Sequence, residues 1–253
     1  DVTQLSANAQ DYLKVIWDLQ EWDDGPVQPT AVAERTGMKQ STVSGALSRL
    51  VDAGLVEHKP YRKVGLTPAG RRSAVTMVRR HRLLETFLVE VLDYSWDEVH
   101  EEADALEHAV SDKMIEKIDR HLGHPTQDPH GDAIPTEAGT IPYTPKTKPL
   151  SQVEEGRTVR VHRVSDEDSG MLRYLSDHGI GPGSLLQVVS RGGKEEPVIL
   201  RLVAGSEERP DQAARNGNDD LRLEFAKAAL IQVGSPGTGR PGPHRTGPGV
   251  PGR

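Results

Sequence analysis

The stretch "KQSTVSGALSRLVDAGLVEHKPYRKVGLTPAG", Lys39 to Gly70, decides the fold. Val43, Leu47, Leu50 and Val51 recur on one helical face, and Gly54 is placed to stop that helix. "LVEHKPYRKVGLTPAG" then reads as two short strands around a basic turn. Just upstream, Thr30 is expected to cap a short helix, "AVAERTG", that Gly37 ends. Short helix, turn, helix and basic hairpin together predict a winged helix-turn-helix. The recognition helix would begin near Lys39. That puts Gln40, Ser41, Thr42 and Ser44 where side chains reach base edges and phosphates. N-capping is the alternative role for Ser41. Arg62 and Lys63 in the wing are phosphate or minor-groove candidates, against the alternative of a solvated basic turn.

Before this unit, "SANAQDYLKVIWDLQEW" sets Tyr12, Leu13, Ile16, Trp17 and Leu19 at helical spacing, with Ser6 as N-cap. After it, two more helices are expected, Arg71 to Leu92 and Ser95 to Leu122. "HPTQDPHGDAIPTEAGTIPYTPKTKPLS" loses the apolar period and reads as an ordered turn running into a linker. From about Val153, "RTVRVHRV", "SLLQVVS", "PVILRLV" and "LRLEF" alternate as short strands, interrupted by one helix near Asp168 to His178. The tail "GSPGTGRPGPHRTGPGVPGR" has almost nothing to bury and reads as disordered. The expected organisation is 1–70 DNA-binding, 71–135 helical, 136–152 linker, 153–233 small β-barrel and 234–253 tail. The class is α+β.

Hydrophobic residues make up 35% of the 253 and aromatics 4%, so any single core is modest. The absence of cysteine excludes disulfides, thiolate zinc sites and cysteine nucleophiles. No apolar run is long enough for a membrane span and no signal segment opens the chain, so a cytoplasmic protein with no membrane partner is expected. The net charge of −7 argues against nucleic acid until it is mapped. Thr30 to Arg82 holds eleven basic residues against three acids, a local +8. Local fields steer a polyanion. Asp93 to Asp119 is acidic and suited to cations.

Within that acidic stretch, "HEEADALEHAVSDKM" brings His100, Asp104, Glu107 and His108 together, beside Ala103, Val110 and Met114. At about 100° per residue the four polar groups span an arc of roughly 100°, one face at the margin of the apolar stripe. A partly desolvated carboxylate there needs a cation partner. The preceding helix carries His81 and Glu85 at i and i+4. A solvated charged face with incidental histidines is the alternative reading. As metal donors these oxygens and nitrogens suit Mn²⁺ or Fe²⁺, and Co²⁺ or Zn²⁺ by affinity order.

From Leu5 to about Val233 the chain resembles the diphtheria-toxin-repressor family of metal-dependent transcriptional regulators. The residues that carry the resemblance are "DYLKVIWDL", "STVSGALSRLVDAGLV", "LTPAGRR", "RRHRLLETFL", "EVHEEADALEHAVSD" and "HPTQDPHGDAIP". The resemblance implies a homodimer with a winged helix-turn-helix, a helical dimerisation domain and a C-terminal SH3-like domain. It further implies repression of metal-uptake genes from a palindromic DNA operator when metal is bound. The family's primary metal site falls on Asp11, Asp104, Glu107 and His108. Iron-type members carry methionine and cysteine where this chain has Asp11 and Asp104. Two soft sulfurs are thereby exchanged for hard oxygens, as expected of the manganese-responsive branch. Short manganese-type members add an acid three residues after the first ligand. Lys14 stands there and argues against a closely paired binuclear cluster. The ancillary site falls on His81, Glu85 and His100, with Glu167 from the SH3-like domain. A further family ligand falls at Gly170, for which Asp168 could substitute. Gly45 replaces a glutamine of iron-type relatives, so specificity would lean on DNA shape.

Three rival readings stay open at this level. An iron-dependent repressor would share the architecture. A metallohydrolase would need an open coordination position and a positioned base, and no lone base stands out, so the chain reads as a non-enzyme without a small organic substrate. A metal-free winged-helix repressor would leave His81 and His108 as ordinary core residues.

Overall fold

A computed structural model describes residues 5–22, 25–59, 61, 63–193, 195–203 and 220–237. The chain divides into two compact units. One comprises Asp1–His81, Glu107–Val110 and Pro135–Ile141; the other comprises Arg82–Leu106, Ser111–Ile134 and Pro142–Arg253. Among the described residues no helix is long and apolar enough to cross a membrane.

The first unit runs α1 (Ala7–Trp22), α2 (Pro29–Thr36), α3 (Gln40–Asp52), β1 (Val56–Lys59), β2 (Lys63–Leu66) and the start of α4 (Pro68–Leu92). Ser6 Oγ accepts from Ala9 N at 3.4 Å at the head of α1. Pro29 starts α2, because its fixed φ suits the first helical turn and its missing N–H costs nothing there. Thr30 therefore lies inside the helix rather than capping it, and Gln28 is the N-cap. Gly37 closes α2 in the left-handed region at φ 65°. The antiparallel pair β1–β2 forms the wing, with Val56 opposite Leu66 and Lys59 opposite Lys63. Leu13, Ile16 and Trp17 of α1 pack with Val43, Leu47 and Leu50 of α3 and with Val75 and Val78 of α4 in one core. The position of α1 is thus coupled to that of the recognition helix α3.

The start of α4 is fixed by a close approach. Thr67 Oγ1 donates to the Gly54 carbonyl at 2.7 Å. A Cβ on Gly70 would come within 1.8 Å of the Leu55 carbonyl oxygen. Gly70→Ala should therefore force backbone movement and lower stability by about 1–3 kcal/mol. A thermal melt checks this, and an unchanged midpoint would contradict the packing.

The expected long helix from Ser95 to Leu122 is broken. α5 (Val99–Glu107) ends before His108, and α6 (Asp112–His121) starts again behind Ser111, whose Oγ accepts from Met114 N. This restart removes Met114 from the apolar stripe and leaves it 45% exposed, while Ala103 stays fully buried. The remaining elements are β3 (Lys148–Pro149), a 3-10 turn (Leu150–Gln152), β4 (Thr158–Val164), α7 (Ser169–Asp177), β5 (Leu185–Ser190), β6 (Val198–Leu202), β7 (Leu221–Leu223), α8 (Phe225–Ala228) and β8 (Ile231–Gly234). The strands form one antiparallel sheet in the order β3-β8-β4-β5-β6-β7. Its core joins Val161, Leu186, Leu200 and Val233 to Met171 and Leu175 of α7 and to Trp96. The sheet begins at Lys148, inside the segment read from sequence as linker. Of the tail expected to be disordered from 234, Gly234 instead ends β8, and 238–253 lie outside the described residues.

Candidate metal centres and DNA-reading surface

In the first unit, α1 presents Asp11, the last residue of α5 is Glu107, and His108 follows it in the turn. These three can each offer one ligand atom, all within 4.8 Å of one another. His108 Nε2 lies 2.7 Å from Asp11 Oδ1 and 3.7 Å from Glu107 Oε1. His108 Nδ1 is held by Gln10 Oε1 at 2.8 Å, which leaves Nε2 facing the carboxylates. Such an outer partner orients a ligating imidazole. Burial pushes the Asp11 carboxyl up, and His108 only partly offsets it. Glu107 is almost wholly buried. Burial alone would raise its pKa, but His81 and Lys14 outweigh this and hold it below the ordinary value. Two carboxylates and an imidazole converging on one spot at that spacing fit a hard divalent cation. Asp104 precedes Glu107 by three residues on α5, and its side chain is half exposed, 3.6 Å from His100 Nε2.

A second cluster centres on Glu85 in the second unit. His100 Nδ1 lies 3.4 Å from Glu85 Oε1 and 2.9 Å from Asp166 Oδ2. Glu85, Asp128 and His130, all buried, also place ligand atoms within 4.8 Å of one another. His130 Nδ1 faces Glu85 Oε2 at 3.7 Å, beyond hydrogen-bond length. The proline-bearing loop after α6 builds this arrangement. Asp128 Oδ1 accepts from the backbone N–H of His130 and of Asp132, each at 2.9 Å. His130 Nε2 meets the Trp96 carbonyl at 2.7 Å, and its ring stacks on the Trp96 indole at 5.7 Å. Gly131 is required because a Cβ there would meet the His162 carbonyl oxygen at 2.1 Å and its φ is +92°. Burial, with Asp132 and Glu85 adding negative charge, pushes the Asp128 carboxyl up to about 8. Burial opposes protonation of His130, yet the Glu85 carboxylate overrides it and raises that imidazole to about 10. Buried acids this close together call for a cation.

The second cluster differs from the sequence reading in its donors. Asp166 Oδ2 meets His100 Nδ1, whereas Glu167, the residue implied by family position, is exposed and turns its backbone N–H to Ser165 Oγ at 3.3 Å. Asp168 caps α7 by accepting from Met171 N at 2.8 Å and pairs with Lys227, so its carboxylate is committed elsewhere. The turn from β4 into α7 fixes this register, which spacing alone could not give. Asp128 and His130 lay in "HPTQDPHGDAIP", where they were read as part of a turn. The signal was two donors flanking a proline, which confines the backbone between them. His81 stands one turn before Glu85 on α4, and its Nδ1 lies 2.6 Å from Glu107 Oε2.

On the DNA-reading side, Lys39 is the N-cap of α3, and Gln40, Ser41, Thr42 and Ser44 are exposed along its first turns. Lys63 opens β2; Arg62 lies outside the described residues. The local +8 overstates the available field. Arg80 and Arg82 are buried, and Arg79, Arg80 and Arg82 donate to the carbonyls of Pro135, Glu107 and Ala133. Two large apolar side chains that the sequence did not single out are exposed here, Met38 before α3 and Tyr61 in the wing.

A winged helix-turn-helix with an outward recognition helix, followed by two His-carboxylate clusters and a small antiparallel sheet, defines a metal-regulated DNA-binding protein. Family models match three segments: the iron dependent repressor N-terminal DNA binding domain over 4–64, its metal binding and dimerisation domain over 67–136, and the FeoA domain over 148–230. The iron-dependent repressor IdeR of Mycobacterium tuberculosis H37Rv is 30% identical over 212 residues, covering 79% of this chain and 91% of that protein. The diphtheria toxin repressor of Corynebacterium diphtheriae is 29% identical, covering 72% and 84%. A solved manganese-dependent transcriptional repressor in complex with manganese superposes with a TM-score of 0.79 at 44% identity, over 90% of this chain and 99% of that one. The chain belongs to the diphtheria-toxin-repressor family of metal-dependent transcriptional repressors.

Proposed function

We propose that this chain is a manganese-responsive repressor, acting as a homodimer on a palindromic double-stranded DNA operator to silence metal-uptake genes. Asp11, Glu107 and His108 would hold the regulatory ion, with Asp104 as a fourth donor by its spacing on α5. Glu85, His100, Asp128, His130 and Asp166 would hold a second. His81 and Glu167, implied by family position, stay as candidates for that second ion. Lys39, Gln40, Ser41, Thr42, Ser44, Arg62 and Lys63 are the proposed DNA contacts.

The observation that carries the choice of metal is the donor set, which is oxygen and nitrogen throughout. Such donors favour Mn²⁺ over metals that gain from sulfur. The 44%-identical manganese-dependent repressor supports the same choice, and the iron-dependent relatives favour Fe²⁺ as the second reading. The bound ion supplies positive charge. Asp11 and Glu107 otherwise repel each other, and α1 carries Leu13, Ile16 and Trp17 into the core that seats α3. Neutralising that pair therefore favours the DNA-competent placement of α3 through differential affinity for two states. At about 100 times its dissociation constant, one ion contributes at most about 2.7 kcal/mol.

The test starts from duplex DNA enriched from random sequence by the Mn²⁺-loaded protein. Binding to that DNA is then titrated separately with Mn²⁺, Fe²⁺, Co²⁺ and Zn²⁺. Mn²⁺ should activate at a free concentration no higher than Fe²⁺. Activation by Fe²⁺ at a tenfold lower concentration would assign the chain to iron instead.

A further inference from the structure

Lys14 is the one part of this site that no metal-ligand role explains. It follows Asp11 by three residues on α1, so the helix offers an anion and a cation on one face. Its Nζ lies 2.9 Å from Glu107 Oε1 and 2.8 Å from Oε2, and 3.2 Å from His81 Nδ1. The lysine side chain is 11% exposed and that of Glu107 only 1%. Glu107 Oε1 is also the oxygen that faces His108 Nε2 at 3.7 Å. One carboxylate therefore serves both the ammonium and the proposed metal position.

We propose that Lys14 is a tethered resident cation that sets the metal threshold of this repressor. The inference rests on reading Asp11, Glu107 and His108 as a metal site. The ammonium pairs with Glu107 before any ion arrives and offsets part of its charge, so the repulsion between Glu107 and Asp11 is only partly relieved. A divalent ion must then share Glu107 with a positive charge a few ångströms away, and like charges at that range in a part-buried site repel strongly. Lys14 thus lowers affinity, so that the site fills only when free metal is high. A purely structural brace would behave differently, because loss of the brace would leave metal affinity unchanged or weaken it.

The experiment compares wild type, Lys14→Met and Lys14→Arg. Folding of the metal-stripped proteins is followed by circular dichroism, and Mn²⁺ affinity by titration against a competing chelator. Lys14→Met should bind Mn²⁺ at least tenfold more tightly, while Lys14→Arg, which keeps the charge, stays within threefold of wild type. Equal or weaker Mn²⁺ affinity in Lys14→Met would overturn the proposal. Should Lys14→Met not fold when stripped, Lys14→Gln takes its place under the same criterion. If neither folds when stripped, refolding by Mn²⁺ supports the exchange of one cation for another, and failure of Mn²⁺ to refold either overturns it. Wild-type protein that binds no Mn²⁺ at all would instead defeat the underlying metal-site reading.

Discussion

Asp11→Ala should abolish metal-induced DNA binding while the chain stays folded. Asp11 is the one donor of the first cluster that comes from α1, and its side chain is 44% exposed, so its removal opens no core cavity. What it removes is the carboxylate through which an ion could bind α1 to Glu107 and His108. With that link gone, an ion held by the remaining donors has no differential affinity for the two placements of α1. A ligand without such a preference shifts nothing, however tightly it binds. The expected loss is the whole metal response, up to about 100-fold in DNA affinity if one site contributes about 2.7 kcal/mol. Fluorescence anisotropy with labelled duplex reads it directly, with and without Mn²⁺. A variant with unchanged melting temperature and an intact metal response would refute the coupling through α1.

His130→Ala should be the most damaging single change in the second unit. The imidazole lies against the Glu85 carboxylate, stacks on Trp96 and holds the Trp96 carbonyl, all with no exposed surface. Its loss leaves Glu85 and Asp128 as buried acids with their shared cationic partner gone. Breaking a buried pair on one side costs about 3–5 kcal/mol. The raised pKa of His130, set chiefly by Glu85 against the opposing effect of burial, means that the ring is charged at neutral pH in the absence of metal. The metal-free fold should therefore suffer most, with a lowered melting midpoint and one fewer Mn²⁺ bound per chain by metal analysis. A midpoint and a metal count both equal to wild type would show that His130 holds neither the fold nor an ion.

Much of this molecule could be read from its sequence because its signals are local. The wing and recognition helix follow from Val43, Leu47 and Leu50 at helical spacing and from Gly37 and Gly54 at two left-handed helix ends. Glu107 and His108 announced themselves as adjacent donors on a helix whose other face is apolar. The differences from the sequence reading share one cause, which is that side chains decide what spacing cannot. Ser111 restarts a helix that periodicity carries straight through to Leu122. Pro29 displaces the N-cap from Thr30. Asp168 is consumed by its own helix cap, and the carboxylate that meets His100 belongs to Asp166, one residue before the expected Glu167. Asp128 and His130 do not stand out in sequence because a Pro- and Gly-rich segment looks like linker unless its backbone N–H groups are traced to the Asp128 carboxylate. The role of Lys14 needed distance as well. Sequence placed it beside Asp11, but its engagement of Glu107 spans 93 positions of chain.

The central claim is that a divalent ion joins α1 to the end of α5 through Asp11, Glu107 and His108. Anomalous diffraction at the manganese absorption edge, from crystals grown with excess Mn²⁺, tests it most directly. The account expects a strong anomalous peak within coordination distance of all three side chains. A structure at full Mn²⁺ with no peak there, or with a peak that Asp11 does not reach, would contradict it.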